Sequence, residues 1–396
     1  MKKMNKQAWP LVLALVFSVH LFGQNQQETN LSKVPGTVIK HQPASSGLFV
    51  GAPSIAKMSN GDYVVSFNFS SIESGDRGKV HRTSIYRSID QGASWEFLTE
   101  IDNQRWSTIF YYRGDLYLIG VDKAFGNAII RKSIDGGKTW TEPKDKKTGL
   151  LAEGRYHCAP VPVIIHNGRI WKAMEDAPRD RQFRAFMMSA HVEADLMDAD
   201  NWTFSNKIPY NKDWYQGMMR GWLEGNAVIT SDNKIANVLR CAFSTGIHGT
   251  AAIINISDDG QEASFDPDKG FINFPGASKK FTIRYDSETK KYWSLVNFIQ
   301  PGDLKYLKEY KAGKIRNTIA LASSTNLLDW IIERTILYHP DIEKHAFQYL
   351  DWLFDGNDLI AVSRTAYDDG LGGAHNYHDA NFITFHRIED FRNNFY

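Results

Sequence analysis

From residue 37 onward the chain is written in short runs that alternate apolar and polar residues, each closed by a turn signal. Tyr63-Val-Val-Ser-Phe67 follows Asn60-Gly61, and Val161-Pro-Val-Ile-Ile165 is separated by Asn167-Gly168 from Arg169-Ile-Trp-Lys172. No stretch keeps the 3.6-residue period of a long helix. The pattern predicts an all-β chain. It divides into six similar units, at about residues 50–102, 105–144, 156–210, 221–266, 274–337 and 345–392. A further strand, Thr37-Val-Ile-Lys40, precedes them and is expected to complete the last sheet.

One motif punctuates these runs. Ser88-Ile-Asp-Gln-Gly-Ala-Ser-Trp95 and Ser133-Ile-Asp-Gly-Gly-Lys-Thr-Trp140 share the pattern S-x-D-x-G-x-x-W, 45 residues apart. The Asp can accept backbone N–H groups of its own turn, the Gly permits φ > 0, and the Trp folds beneath the turn as an apolar plug. Weaker copies stand at Asp200-Asn-Trp202, Ser257-Asp-Asp-Gly260 and Ser324-Thr-Asn-Leu-Leu-Asp-Trp330. This is the Asp box, a turn-former that recurs in β-propellers such as the sialidases. A hairpin repeating at this period predicts small sheets arranged radially, in one domain spanning residues 37–396.

The first residues change the compartment. Lys2, Lys3 and Lys6 precede an apolar run from Trp9 to Phe22, followed by Gly23 and a polar stretch. This reads as an export signal, residues 1–23, with a disordered leader at 24–36; the run is too short to span a bilayer. The chain is therefore expected in the periplasm or outside the cell. Removing the three leader lysines from 46 basic residues leaves 43 against 45 acidic ones. With no basic stripe, nucleic acid is excluded as a partner. Cleavage after Gly23 would leave 373 of the 396 residues, about 62 for each of six units or 53 for each of seven. Cys158 and Cys241 are too few for a disulfide framework, though they could pair with each other. The 13% aromatic content suits both Trp-plugged blades and a sugar cleft lined with stacking rings.

Polar residues at the starts of inner strands converge on a propeller's axis, and those without a structural task are candidates for chemistry. Arg155, Tyr156 and His157 precede one buried strand. Arg220, Trp222, Glu224 and Asn226 precede another. Arg284 and Asp286, Gln348 and Tyr349, Arg364, and His375-x-x-His378-Asp379 complete the set. A sialidase would need three arginines for a substrate carboxylate, a Tyr–Glu nucleophile pair and an acidic proton donor. It would usually show Arg-Ile-Pro early in the chain, where this sequence has Ala52-Pro-Ser-Ile55. No metal site is predicted, because His378 and Asp379 lack further convergent ligands. A structural calcium ion would suit the axis, but no acidic cluster marks one.

Several stretches resemble one family closely. They are His41-Gln-Pro-Ala-Ser with Gly51-Ala-Pro-Ser-Ile55, Tyr156-His157 through Pro162, and Asn167-Gly-Arg-Ile-Trp with Glu175. Trp222-Leu-Glu-Gly-Asn226, Phe274-Pro-Gly with Lys280-Phe-Thr-Ile-Arg284, and Gln348 to Trp352 continue the match. Arg364-Thr-Ala-Tyr-Asp368 and His378-Asp-Ala-Asn381 with Phe385-His-Arg387 close it. These look like the secreted β-propeller enzymes that remove terminal L-rhamnose from D-glucuronic acid on arabinogalactan side chains, as rhamnosidases or lyases. The resemblance implies seven blades, an acidic plant polysaccharide as partner, and catalysis by histidine; a monomer without a cofactor is expected. It points to His41 and His157 as catalytic, and the carboxylate that ordinary glycoside hydrolysis needs adds Glu224. Its motifs supply Tyr156, Glu175, Trp222, Asn226, Gln348 and His378 as substrate-binding, and the need to neutralise a uronate carboxylate adds Arg155, Arg220, Arg284 and Arg364. Where the family pattern has His-Asp, this chain has Phe67-Asn68. Two further readings therefore stand beside it: a non-catalytic glycan-binding propeller and a sialidase-like exo-glycosidase.

Overall fold

The computed structural model describes residues 31–393 except 74, 76–78, 179–181 and 245–246. The expected export signal and residues 24–30 of the leader lie outside them. Residues 31–36 are not disordered: Val34 is buried, and Gly36 crosses against His386 at φ +79, where a Cβ would strike Phe385 O.

Six sheets, each four strands deep, stand around one axis. Blade 1 is Leu48–Lys57, Tyr63–Ser71, Arg82–Ser88 and Glu96–Asp102. Blade 2 is Arg105–Tyr112, Asp115–Val121, Ala128–Ser133 and Leu150–Ala152. Blade 3 begins with an inner strand broken at Pro160 and Pro162, Tyr156–His157 and Val163–His166, and continues through Arg169–Asp176 and Arg184–His191. Blade 4 is built on Met219–Ile229, Ile235–Phe243 and Thr250–Ile256. Blade 5 is Thr282–Asp286, Lys291–Val296, Thr318–Ser324 and Ile331–Tyr338. Blade 6 is Ala346–Asp355, Asp358–Ala366 and Phe382–Ile388, with Thr37–His41 as its outermost strand. The N-terminal strand closes the ring, as expected.

The count is six, not the seven that the resemblance implied. The length available for a seventh sheet is spent on crossings, such as residues 297–317 with two 3₁₀ turns and residues 367–381. Both Asp boxes form as read. Asp90 accepts from Ser94 N–H at 2.9 Å, Asp135 from Thr139 N–H at 3.0 Å, and these turn bonds hold both carboxyls down at about 2. In the weaker copy at Ser324, Asn326 takes the acid's place and Trp330 donates to Leu327 O. The two cysteines are free and buried.

Each interface between neighbouring blades holds its own apolar cluster, with Trp171 and Trp222 between blades 3 and 4 and Trp293 and Trp352 between blades 5 and 6. Nearer the axis the blades are joined by polar side chains in a closed circuit. Ser54 Oγ donates to Asp351 Oδ2 (2.7 Å) and accepts from Ile109 N–H (3.1 Å). Thr108 donates to Val161 O, Glu175 accepts Gly225 N–H, Asn226 accepts Ile283 N–H, and Thr282 donates to Leu350 O. All six side chains are buried, so each bond also satisfies a group that burial would otherwise penalise.

Candidate active site

Four inner strands share one irregularity. Their registers slip between Gly51 and Ser54, Arg105 and Thr108, Leu223 and Asn226, and Gln348 and Asp351. In each bulge one residue is left-handed: Ala52, Trp106, Glu224 and Tyr349, with φ from 50 to 60°. The polar residue two positions on is a member of the inter-blade circuit. A bulge re-aims a side chain, and non-glycine residues held at φ > 0 cost about 1–3 kcal/mol each and cluster at functional sites. Here the bulges turn Trp106, Glu224 and Tyr349 into a common cavity at the strands' entry ends. Its volume is about 190 Å³, and its walls add Asn68, Arg105, His157, Arg364 and His378. That is small beside the roughly 300–1,000 Å³ of drug-sized ligand sites and suits a single sugar ring.

Glu224 is 2% exposed and takes a 2.7 Å hydrogen bond from Arg240 Nη1. Burial pushes its carboxyl up, but Arg240, His157 and the Tyr349 hydroxyl outweigh this and hold it below the usual range. Glu224 is a carboxylate facing a phenol. The Tyr349 ring is flanked by guanidiniums, with Arg364 Cζ 4.2 Å and Arg316 Cζ 5.7 Å from its centroid. Gln348 is fully buried behind them. Its Oε1 accepts from Arg316 (2.6 Å) and Arg364 (2.9 Å), fixing both on one acceptor. Burial lowers Arg364 to about 10, which leaves it charged at neutral pH.

Gly51 explains how Arg364 reaches the cavity. A Cβ there would stand 3.2 Å from Nη1, so the side-chain-free position leaves room for an arginine arriving from the second strand of blade 6. This is the stretch of blade 1 in which an Arg-Ile-Pro was sought and not found.

On the other wall, His157 Nδ1 is 2.9 Å from Glu175 Oε2. Phe183 stacks on its ring at 5.2 Å, and Trp106 lies 4.7 Å away. The buried carboxylate orients the imidazole and leaves Nε2 to act. Phe125, also left-handed, packs against Trp106, with Arg155 over its outer face. His378 pairs with Asp379 at 2.7 Å, and burial and Arg364 keep it neutral.

The structure therefore gathers His157, Glu175, Glu224, Gln348, Arg364 and His378. It places the others elsewhere. His41 bonds Asp369 (3.0 Å) and stacks on Phe382 outside the cavity. Arg155 stands at the rim, and Tyr156 packs in the core between blades 2 and 3. Arg220 is exposed and bonds Gly217 O; Trp222 is core, and Asn226 belongs to the inter-blade circuit. Arg284 lies toward the opposite end of the axis, as does Asp286, which Arg392 pairs with at 2.9 Å. Phe67 is a core residue against Tyr86, while Asn68 lines the cavity. Arg240 and Arg316 were not singled out in the sequence. A lone arginine inside the buried run Val238-Leu-Arg-Cys241 was the available signal for the first; Arg316 sits in a crossing and had none.

Among the described residues no helix is long and apolar enough to cross a membrane. No protein-family profile matches the sequence, and a search of curated proteins finds no match to it. Solved structures share the fold at low identity. A protein of unknown function from Dyadobacter fermentans matches 90% of this chain and 98% of its own, at 13% identity and TM-score 0.57. Penicillium chrysogenum α-L-arabinanase, solved with arabinobiose, matches 89% and 97% at 14% identity and TM-score 0.56. Trypanosoma rangeli sialidase, solved with the inhibitor DANA, matches 89% of this chain and 57% of its own at 12% identity and TM-score 0.55. At these identities the likeness is one of fold.

Proposed function

We propose that the protein is an exported exo-acting retaining glycosidase for a terminal sugar that carries a carboxylate. The observation that carries this reading is the Tyr349 hydroxyl facing the Glu224 carboxylate inside a cluster of three arginines. Arg240, Arg316 and Arg364 supply the charge-assisted donors that a carboxylate takes up best. Tyr349 Oη attacks the anomeric carbon while Glu224 takes its proton, and His157 Nε2 protonates the departing glycosidic oxygen. Water then attacks the glycosyl–tyrosine bond with His157 as base, and the proton on Glu224 returns to Tyr349. The His157–Glu175 pair takes the proton-donor role that a sialidase gives to an acid. Trp106, Phe125 and Phe183 beside it form the wall against which the leaving sugar stacks.

The fold neighbours include an arabinanase and sialidases, which supports a glycosidase in general. The test is release of the chromophore from aryl glycosides of sialic and uronic acids by the purified protein. A 2-fluoro glycoside should then mark Tyr349, read by mass spectrometry. Full turnover by both Tyr349→Phe and Glu224→Gln would sink the assignment.

A second reading keeps the rhamnose–glucuronate substrate. It is favoured by the convergence of His157, Gln348, Arg364 and His378, all residues of that resemblance. Glucuronate also carries a carboxylate for the arginines to neutralise before C5 loses its proton. Rhamnose released from gum arabic together with ultraviolet absorbance of an unsaturated uronate would select elimination. Binding without product would select a glycan-binding propeller.

A further inference from the structure

Outside the cavity, the crossing from blade 5 to blade 6 reads His339-Pro-Asp341-Ile-Glu-Lys-His345. It folds so that one ligand atom from each of His339, Asp341 and His345 lies within 4.8 Å of the others. His345 is 6% exposed. Its Nδ1 is 2.7 Å from Asp341 Oδ2, and its Nε2 is 3.5 Å from Asp368 Oδ2. The His339 ring lies face to face with it, 3.6 Å between centroids. Asp341 Oδ1 is occupied by Glu343 N–H at 2.8 Å, which leaves Oδ2 for the cluster.

A structural ion pair between Asp341 and His345 is the simpler account, and it covers two of the four groups. It does not account for a second imidazole brought within ligand reach of that pair, nor for a second carboxylate behind the first imidazole. A metal site accounts for all four. Two imidazoles and a carboxylate with a fourth position for water is a zinc-type ligand set. A ligating histidine almost always passes its other N–H to a carboxylate, a backbone carbonyl or water, and for His345 Asp368 stands in that place.

We propose that His339, Asp341 and His345 bind one divalent transition-metal ion of the zinc class, with Asp368 orienting His345. Parallel rings cannot both aim a lone pair at one ion. On binding, the partly exposed His339 turns out of the stack and gives up the 3.2 Å bond that its Nδ1 accepts from Asp341 N–H. Calcium and magnesium, which prefer all-oxygen shells, do not fit the set. The ion would brace the site without entering it. His339 is joined by two hydrogen bonds to Asn317, the neighbour of Arg316. His345 leads directly into the strand of Gln348 and Tyr349, and Asp368 opens the segment that carries His378.

The test uses full-length protein stripped with a chelator and titrated with Zn²⁺ alone against a chromophoric competitor. One equivalent is expected to bind, and the melting temperature to rise; Ca²⁺ and Mg²⁺ alone are expected to do neither. His345→Ala and His339→Ala are each expected to abolish that equivalent, while Asp368→Asn weakens it about 10–100-fold. Because His339 is partly exposed, its variant separates loss of a ligand from loss of the fold, with circular dichroism as the check. No stoichiometric binding by the parent protein, or binding that survives in both histidine variants, overturns the proposal. Neither result depends on the identity of the sugar substrate.

Discussion

The same inner strands end in two very different places. At their entry ends they surround Glu224, Tyr349 and His157; at their exit ends they open into two cavities of about 330 and 240 Å³. The exit cavities are the larger, yet their lining is mostly apolar, with Ile164, Val228, Ile229, Leu353 and Phe354 among it. Their one shared cation, Arg284, is spent on Trp352 O and Asp351. Position on the axis and volume therefore do not make a site. The entry ends differ because each of four strands spends a bulge there and holds a left-handed residue. At the exit ends the left-handed residues Arg113, Asn167 and Asn233 lie in the connecting turns rather than within the strands.

The contrast can be broken most sharply by deleting the chemistry at one end and the cation at the other. On an acidic aryl glycoside, Tyr349→Phe or Glu224→Gln is expected to lower kcat at least about 10³-fold. Arg284→Met is expected to leave kcat unchanged and lower only the melting temperature. Equal losses at both ends would erase the distinction.

A smaller effect is expected from the arginines. Losing one charge-assisted pair is worth about 1.5–3 kcal/mol, so Arg364→Met or Arg316→Met should cut kcat/KM about 10–100-fold. The loss should vanish when the substrate carboxylate is offered as its methyl ester. Smaller again is Gly51→Ala, whose new Cβ pushes on Arg364. It should raise KM several-fold and spare kcat; unchanged KM would mean that Arg364 does not need that opening.

A separate effect, on stability rather than turnover, concerns the layer beneath the cavity. Burial lowers Lys280 to about 7, against the help of Asp351 and Glu224 and with Arg284 and Lys172 opposing its charge. A free lysine titrates near 10.4, so between about pH 7 and 10 the unfolded chain binds the proton that the folded chain has released. Stability should rise with pH across that window, by at most about 1.4 kcal/mol per unit, and be lowest below pH 7. Urea denaturation at successive pH values should show this rise, and Lys280→Met should flatten it. An unchanged slope in the variant would remove Lys280 as its source.

Much of the architecture was legible because turns are local. Ser88, Asp90, Gly92 and Trp95 form their box from residues within one hairpin, and the six unit boundaries follow from such turns. The blade count was not local: nothing in residues 297–317 distinguishes a long crossing from a divergent sheet. The site was half legible for the same reason. His157 and Glu224 stand beside turn signals at strand starts. The bulges join residues as unlike as Ala52, Trp106, Glu224 and Tyr349, whose common property is backbone conformation, which no residue type announces. Their trace in the sequence is the polar residue two places on, in Ser54, Thr108, Asn226 and Asp351. Trp222 and Asn226 were drawn into the candidate set by neighbourhood, and burial assigns them to the core and the circuit.

Ring closure by Thr37–His41 also sets a timetable. His41 and Asp369 meet across 328 residues of sequence, so closing the ring joins segments far apart along the chain. The entropic toll of so distant a meeting grows only as the logarithm of the loop, about 0.6 kcal/mol for each doubling. Distance therefore costs little at equilibrium and much in time, since long-range pairings slow folding. Once latched, the circle has no free edge from which blades can peel one after another. Deleting Thr37–His41 is therefore expected to open the ring and speed unfolding, read by unfolding kinetics in urea.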